Sequence, residues 1–275
     1  MMVDPSHLPK ISLCTTCMGR LHHLMQTLPK NMQDNADYPN IEFVLVDYNS
    51  KDGLQDWVRQ NFQAEIAAGK LKYVYYPGPE KFHAPHAKNI AHRMASGDIL
   101  VNVDADNFTG PGFARWIAET MEKETAMAQR AHKKGVFLRP KLAQYALSER
   151  SGTGGRIALP KEAFYQVGGY AETIQGWGGD DTALSMHLEK AGYLYKPIPK
   201  AYLSDISHSD AERGKHTKQH PSLVRLTNFC NKLNRPQRGT NGARFGCGTV
   251  YVNFSAHPYT IGPATALAAD IGLVR

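Results

Sequence analysis

Four times in its first 103 residues, this chain repeats a short apolar run, with amphipathic stretches between, and three of the four runs close in a polar cluster. The runs are Lys10 to Thr16, Ile41 to Val46, Leu71 to Tyr76 and Ile99 to Val103. Leu21, Leu24, Met25 and Leu28 fall at helical spacing, with Pro29 near the end of that stretch. Leu54, Trp57, Val58 and Phe62 mark a second helix, and Ala87, Ile90, Ala91 and Met94 a third, closed by Gly97. Ile41-Glu42-Phe43-Val44-Leu45-Val46 is almost continuously apolar, as expected of a strand covered on both faces. Such alternation predicts an α/β fold: a mixed, mostly parallel sheet flanked by helices. Ligands of these sheets bind beyond the carboxyl ends of the strands. The polar clusters Thr15–Arg20, Asp47–Asp52 and Asp104–Asn107 all stand at such ends. They are expected to converge on one crevice.

The fourth run leads into Asp104-Ala105-Asp106-Asn107. In an extended chain residues i and i+2 point the same way, so both carboxylates are expected to face one site. Two aspartates that close repel each other, and a divalent cation removes the repulsion.

After Pro111, a helix through Phe113, Trp116, Ile117 and Met121 precedes a more irregular half. The glycine-rich Gly152–Gly155 stretch lets backbone approach a ligand closely and joins a short strand. Lys161 to Val167 reads as helical, Gly176-Trp177-Gly178-Gly179-Asp180-Asp181 leads into another helix, and Tyr193 to Pro197 returns as a strand. From about Ala211 the chain turns basic, Asn-rich and loop-like.

With 275 residues, 42% hydrophobic and 21% charged, the chain suits one large domain, or a domain with an extension. No run approaches the roughly 18 apolar residues of a membrane span. The first residues lack a basic region followed by an apolar core, so no secretion signal is expected. Four cysteines form no disulfide framework for this length, and Cys14 and Cys17 lie on a buried run, so core packing and a cytoplasmic location are expected. A net charge of +7 suggests an anionic ligand.

Ala87-Lys88-Asn89, Ala95-Ser96-Gly97-Asp98-Ile99 and Val103-Asp104-Ala105-Asp106 together resemble the family 2 glycosyltransferases of the Rossmann-like GT-A fold. Asp47-Tyr48-Asn49-Ser50-Lys51-Asp52-Gly53 resembles that family's second-strand turn, with Tyr48 in place of its second aspartate. The second half is similar to the β-1,4-galactosyltransferases and chondroitin-polymerase-like enzymes through Gly154-Gly155, Gly168-Gly169-Tyr170, Gly176 to Asp181 and His208. Those enzymes usually have Glu-Asp where this chain has Asp180-Asp181.

The resemblance implies a metal-dependent, inverting transfer from a nucleotide-sugar donor, expected to be UDP-linked. It implies Mn²⁺, or Mg²⁺, on Asp104, Asp106 and His208, with Asp104 also near the ribose. It makes Asp181 the general base and places Asp180, Trp177, Gly178 and Gly179 toward the acceptor. Thr15, Arg20, Asp47, His86, Lys88 and Asp104 would line the donor. The implied catalytic domain is residues 1–210, with a nucleotide-sugar half at about 10–107 and an acceptor half at about 108–210. Residues 211–275 would be a C-terminal extension packing on the site or closing over it. Its span from Arg213 to Arg244 holds eight Lys or Arg residues and no acidic one, which suggests an anionic acceptor, such as an acidic glycan or a modified nucleic acid. Two alternatives also fit the residues: a metal-dependent nucleotidyltransferase, and a basic non-catalytic module binding nucleic acid or sugar.

Overall fold

The computed structural model describes residues 8–141, 152–207 and 241–264. Its centre is four parallel strands, β1 (Ile11–Cys17), β2 (Ile41–Asp47), β3 (Leu71–Tyr75) and β4 (Ile99–Asn102), ordered β3-β2-β1-β4. A minor pair comes next in the chain, β5 (Asn107–Phe108), which meets β9 (Ser204–Asp205) antiparallel. Beside β4 lie, in order, β7 (Ala158–Pro160), β6 (Gly135–Pro140) and β8 (Tyr193–Ile198). β7 runs antiparallel to both of its neighbours, whereas β6 and β8 are parallel to each other. On the far side of β3 the sheet ends in β10 (Gly248–Val252) and β11 (Pro258–Ile261), both joined antiparallel.

Side chains alternate between two cores along these strands, as the two-residue strand period requires. Leu13, Leu45, Tyr73 and Val101 pack with α1 (Leu21–Asp34), α2 (Leu54–Asn61) and α5 (Phe113–Arg130) through Leu24, Val58 and Ile117. Cys14, Val44, Val74 and Leu100 pack with α4 (Ala84–Met94), α6 (Lys161–Gln166) and α7 (Asp180–Lys190) through Ile90, Phe164 and Leu184. The short α3 (Gln63–Ala67) links α2 to β3. This is the three-layer arrangement expected of the sequence. Cys14 and Cys17 are core thiols, each pushed up by burial, Cys17 to about 12.

Three local expectations need correction. Pro29 does not end α1, which runs on to Asp34. Tertiary bonds hold that last part: Asn31 Nδ2 donates to the Asn107 carbonyl at 2.9 Å, and Asn35 Oδ1 accepts from Ala114 N–H at 2.7 Å. Gly97 is not the cap of α4, which closes at Ala95; a Cβ at Gly97 would lie 2.5 Å from Ser12 Oγ, so the glycine serves the approach to β1. The C-terminal stretch is not all loop, because β10 and β11 extend the main sheet. Val250 and Tyr251 point to opposite faces there, a strand alternation that the basic composition of the preceding residues obscured. Of the basic residues between Arg213 and Arg244, all but Arg244 lie outside the described residues. No helix among the described residues is long and apolar enough to cross a membrane.

Candidate active site

Strand register decides where the two aspartates emerge. Cys14 pairs with Asn102, and Val103 N–H donates to the Cys14 carbonyl at 2.9 Å. The chain bearing Asp104 therefore leaves the sheet beside Thr15, which is buried on β1. There it turns, with Asn107 N–H donating to the Asp104 carbonyl at 2.9 Å. Thr27 Oγ1 donates to the Ala105 carbonyl at 2.6 Å, and Ile206 N–H to the Asp106 carbonyl at 2.8 Å, so the turn is clamped from both sides. The expected common direction of Asp104 and Asp106 rested on an extended chain. The strand instead stops at Asn102, and the aspartates take the first and third places of a turn.

The carboxylates still feel each other. Asp104 is raised above the usual carboxylate range by burial first, with Lys88 opposing and Asp106 adding to the rise. Its Oδ1 accepts from Asn102 Nδ2 at 3.0 Å, while Asp106 Oδ1 accepts from Asn107 Nδ2 at 2.8 Å. Among the described residues no three His, Cys, Asp or Glu side chains gather as a metal site. Asp104 and Asp106 nevertheless supply two hard oxygen donors whose mutual repulsion a divalent cation would relieve, which fits Mn²⁺ or Mg²⁺ with further ligands from a bound molecule. His208, the third expected ligand, lies outside the described residues.

Asn102 also draws in the next element. Its Nδ2 donates to the Gly155 carbonyl at 2.9 Å, seating the 3-10 turn Gly152–Gly155 against the end of β4. A Cβ on Gly155 would stand 2.6 Å from Asp104 Oδ2 and 3.2 Å from Asp181 Oδ2. The close backbone approach expected of these glycines is thus made to two carboxylates.

Asp181 reaches this point from the start of α7. Gly178 and Gly179 hold φ of 83° and 91°, values that side-chain-bearing residues rarely adopt, and Gly179 occupies the cap position. Trp177 is half-buried in the same loop. Asp180 and Asp181 occupy the first turn but do not cap the helix with their side chains. They are held by Lys88 of α4, whose Nζ lies 2.8 Å from Asp180 Oδ2 and 2.8 Å from Asp181 Oδ1. Burial acts to lower the Lys88 pKa, but the charges of Asp180, Asp181 and Asp104 reverse the effect and raise it well above its ordinary value. Asp181 is pushed up to about 6 by burial and then by Asp180, with Lys88 opposing.

Of the other expected donor residues, Thr15 and Asp47 lie near or at the ends of β1 and β2, Arg20 just past β1, and His86 and Lys88 on α4. Arg20 precedes α1, its Nη1 3.3 Å from His23 Nδ1. Asp47 is buried: Oδ1 accepts from Ser50 N–H at 2.7 Å and Oδ2 from the Tyr73 hydroxyl at 2.6 Å, so it shapes the turn after β2. His86 Nε2 lies 3.0 Å from the Cys247 carbonyl and must donate to it. In the neutral ring Nδ1 then accepts from Tyr48, whose hydroxyl is 2.8 Å away. Tyr48 thus replaces the family's acidic residue with a hydrogen bond to α4. Lys88, expected at the donor, is engaged by the Asp180–Asp181 pair. Sequence reasoning missed Asn102 and gave Asn107 no role of its own within its polar cluster, although their positions beside Asp104 and Asp106 were visible signals.

The family model of glycosyl transferase family 2 matches residues 13–173. Validoxylamine A glucosyltransferase of Streptomyces hygroscopicus subsp. jinggangensis is 20% identical over 271 aligned positions, which cover 80% of this chain and 63% of that relative. A mannosyltransferase from Pyrobaculum calidifontis, solved in complex with GDP-Man and Mn²⁺, superposes with a TM-score of 0.61 at 19% identity, covering 86% of this chain and 67% of that one. GalNAc-T7 with UDP, GalNAc and Mn²⁺ gives 0.58 at 17% identity, covering 83% and 47%. These likenesses show the GT-A fold.

Proposed function

The chain belongs to glycosyl transferase family 2, and from that premise we propose that it moves a sugar from a UDP-linked donor to an acceptor hydroxyl, with inversion at the anomeric carbon. One observation carries this reading: Gly155 is the point where Asp104, from the turn after β4, and Asp181, from the start of α7, come together. A donor held at the first and an acceptor activated by the second would meet there.

In the transfer, Asp181 takes the proton of the acceptor hydroxyl as that oxygen attacks the anomeric carbon. The bond from this carbon to the diphosphate oxygen breaks, and its electron pair leaves with the diphosphate. A carboxylate with a pKa of about 6 is mostly ionised at neutral pH, yet more basic than an ordinary aspartate. A bound Mn²⁺ or Mg²⁺ would offset the leaving diphosphate's charge. Asp104 and Asp106 would hold that ion. Ile206 N–H on the Asp106 carbonyl supports His208, two residues later, as a further ligand.

Thr15, Arg20, Asp47 and His86 would border the donor. Trp177, Gly178, Gly179 and Asp180 would border the acceptor, in the manner of the β-1,4-galactosyltransferase type. Lys88 would serve the seam between the two halves rather than the diphosphate alone. The basic span Arg213–Arg244 supports an anionic acceptor.

The test is release of free nucleoside diphosphate from a panel of nucleotide sugars with Mn²⁺. At least one UDP-sugar should be turned over, and Asp181→Asn should lower the rate by roughly two to four orders of magnitude. No release from any donor, or undiminished turnover in the variant, overturns the proposal.

A further inference from the structure

On the face of the sheet where β10 joins β3, a groove of about 200 Å³ is lined by Gln55, Tyr73, Tyr75, Tyr251, Phe254 and Ser255. None of these residues belongs to the donor, acceptor or metal sets above. Tyr73 stacks on Phe254 with ring centroids 4.8 Å apart, and the Arg59 guanidinium sits 4.8 Å from the centre of the Phe254 ring. The Tyr75 and Tyr251 rings, 6.4 Å apart and tilted by 37°, add two more aromatic walls.

The polar atoms differ in their engagement. The Tyr73 and Tyr75 hydroxyls are used by Asp47 and Asn49, at 2.6 and 3.1 Å. The Gln55 amide and the Tyr251 hydroxyl have no hydrogen-bond partner among the described residues. No lining residue is charged.

We infer that this groove is a secondary carbohydrate site, holding one neutral sugar ring of a glycan chain. A sugar ring offers C–H bonds on its faces and hydroxyls around its rim. Tyr75, Tyr251 and Phe254 match the first, and Gln55, Tyr251 and Ser255 the second. The volume falls below the roughly 300–1,000 Å³ of drug-sized sites and suits a single ring. The uncharged lining disfavours a phosphate or carboxylate, and the nearby Arg59 is stacked on Phe254. Its biological sense rests on the glycosyltransferase proposal, but binding here requires no turnover.

The experiment is saturation-transfer NMR on the full chain with methyl α-D-glucopyranoside, methyl α-D-mannopyranoside, methyl β-D-galactopyranoside and N-acetylglucosamine. At least one should bind, and Tyr251→Ala should weaken it about five- to tenfold, as loss of an aromatic contact does. Gln55→Ala, which removes an amide without touching a core, should weaken it less and leave the melting temperature unchanged. The Tyr251-dependent part of the signal should persist in Asp181→Asn. No binding by any glycoside, binding unaffected by both groove variants, or competition by uridine for the Tyr251-dependent signal each overturns the inference. Binding that persists in a chain releasing no nucleoside diphosphate from any donor would sink the glycosyltransferase proposal and leave the groove standing.

Discussion

Lys88 Nζ lies 2.8 Å from Asp181 Oδ1, which ties the proposed base to a buried cation on the other side of the cleft. The same ammonium holds Asp180 at 2.8 Å, so one positive charge serves two adjacent carboxylates. A pair of aspartates opening a helix would ordinarily be explained by capping. Here Lys88 of α4, the helix that also fastens Tyr48 through His86, holds both side chains.

The rate of transfer should therefore rise with pH through an inflection near 6, where Asp181 loses its proton. Lys88→Met removes the charge that opposes the upward shift, so the acid limb of kcat/KM should move to higher pH. Turnover lost at pH 7 should be partly regained near pH 8.5, a recovery that misfolding would not give. A profile measured from pH 5 to 9 decides: an unmoved limb means Lys88 does not tune the base.

Gly155→Ala should cripple turnover while sparing the fold. The added Cβ would lie 2.6 Å from Asp104 Oδ2 and 3.2 Å from Asp181 Oδ2, so both carboxylates must shift. A displacement of about 1 Å at a reacting centre can lower the rate by about 100-fold. Unchanged kcat with an unchanged melting temperature would show that the two carboxylates do not act together.

Much of this site could be read from the chain because the parallel strands end in polar clusters that the fold gathers. Asp104 and Asp106 were legible in that way, whereas Asp180 and Asp181, which open α7 after a glycine-rich loop, were singled out by the family resemblance. Other features depend on contacts far apart in sequence. Lys88 meets residues more than ninety positions away, and His86 donates to Cys247, so no local pattern announces either partnership. The extended geometry expected for Asp104 and Asp106 failed for a related reason. Val103 is the last residue bonded to β1, and contacts from α1 and Ile206 then fold the chain into a turn. Strands β10 and β11 escaped notice because a long basic, Asn-rich stretch precedes them.

Asp106→Asn should keep the turn and lose the metal. The amide oxygen can still accept from Asn107 Nδ2, so the local structure survives, but a charged oxygen ligand is gone. Mn²⁺-dependent UDP affinity, followed by calorimetry, should fall at least about tenfold, or about 1.4 kcal/mol. Equal affinity in wild type and variant would remove Asp106 from the metal site.

Acid should weaken the fold through His92, one turn along α4 from Lys88. His92 is fully buried, its ring stacks on Phe164 at 4.9 Å, and its Nδ1 donates to the Lys88 carbonyl at 2.8 Å. Among the described residues its Nε2 has no hydrogen-bond partner, so an added proton would find no acceptor among them. Burial, helped by the Lys88 charge, lowers the His92 pKa to about 4. The unfolded chain, with a histidine pKa of about 6.5, takes up a proton that the folded chain refuses. Stability from this residue is therefore intact above pH 6.5 and is lost as pH falls toward 4, by up to roughly 3 kcal/mol. His92→Gln retains a donor for the Lys88 carbonyl but cannot titrate. Urea unfolding at steps between pH 7 and 4 should show a shallower loss of stability in the variant than in the wild type. Identical slopes would assign the acid sensitivity to the carboxylates and clear His92.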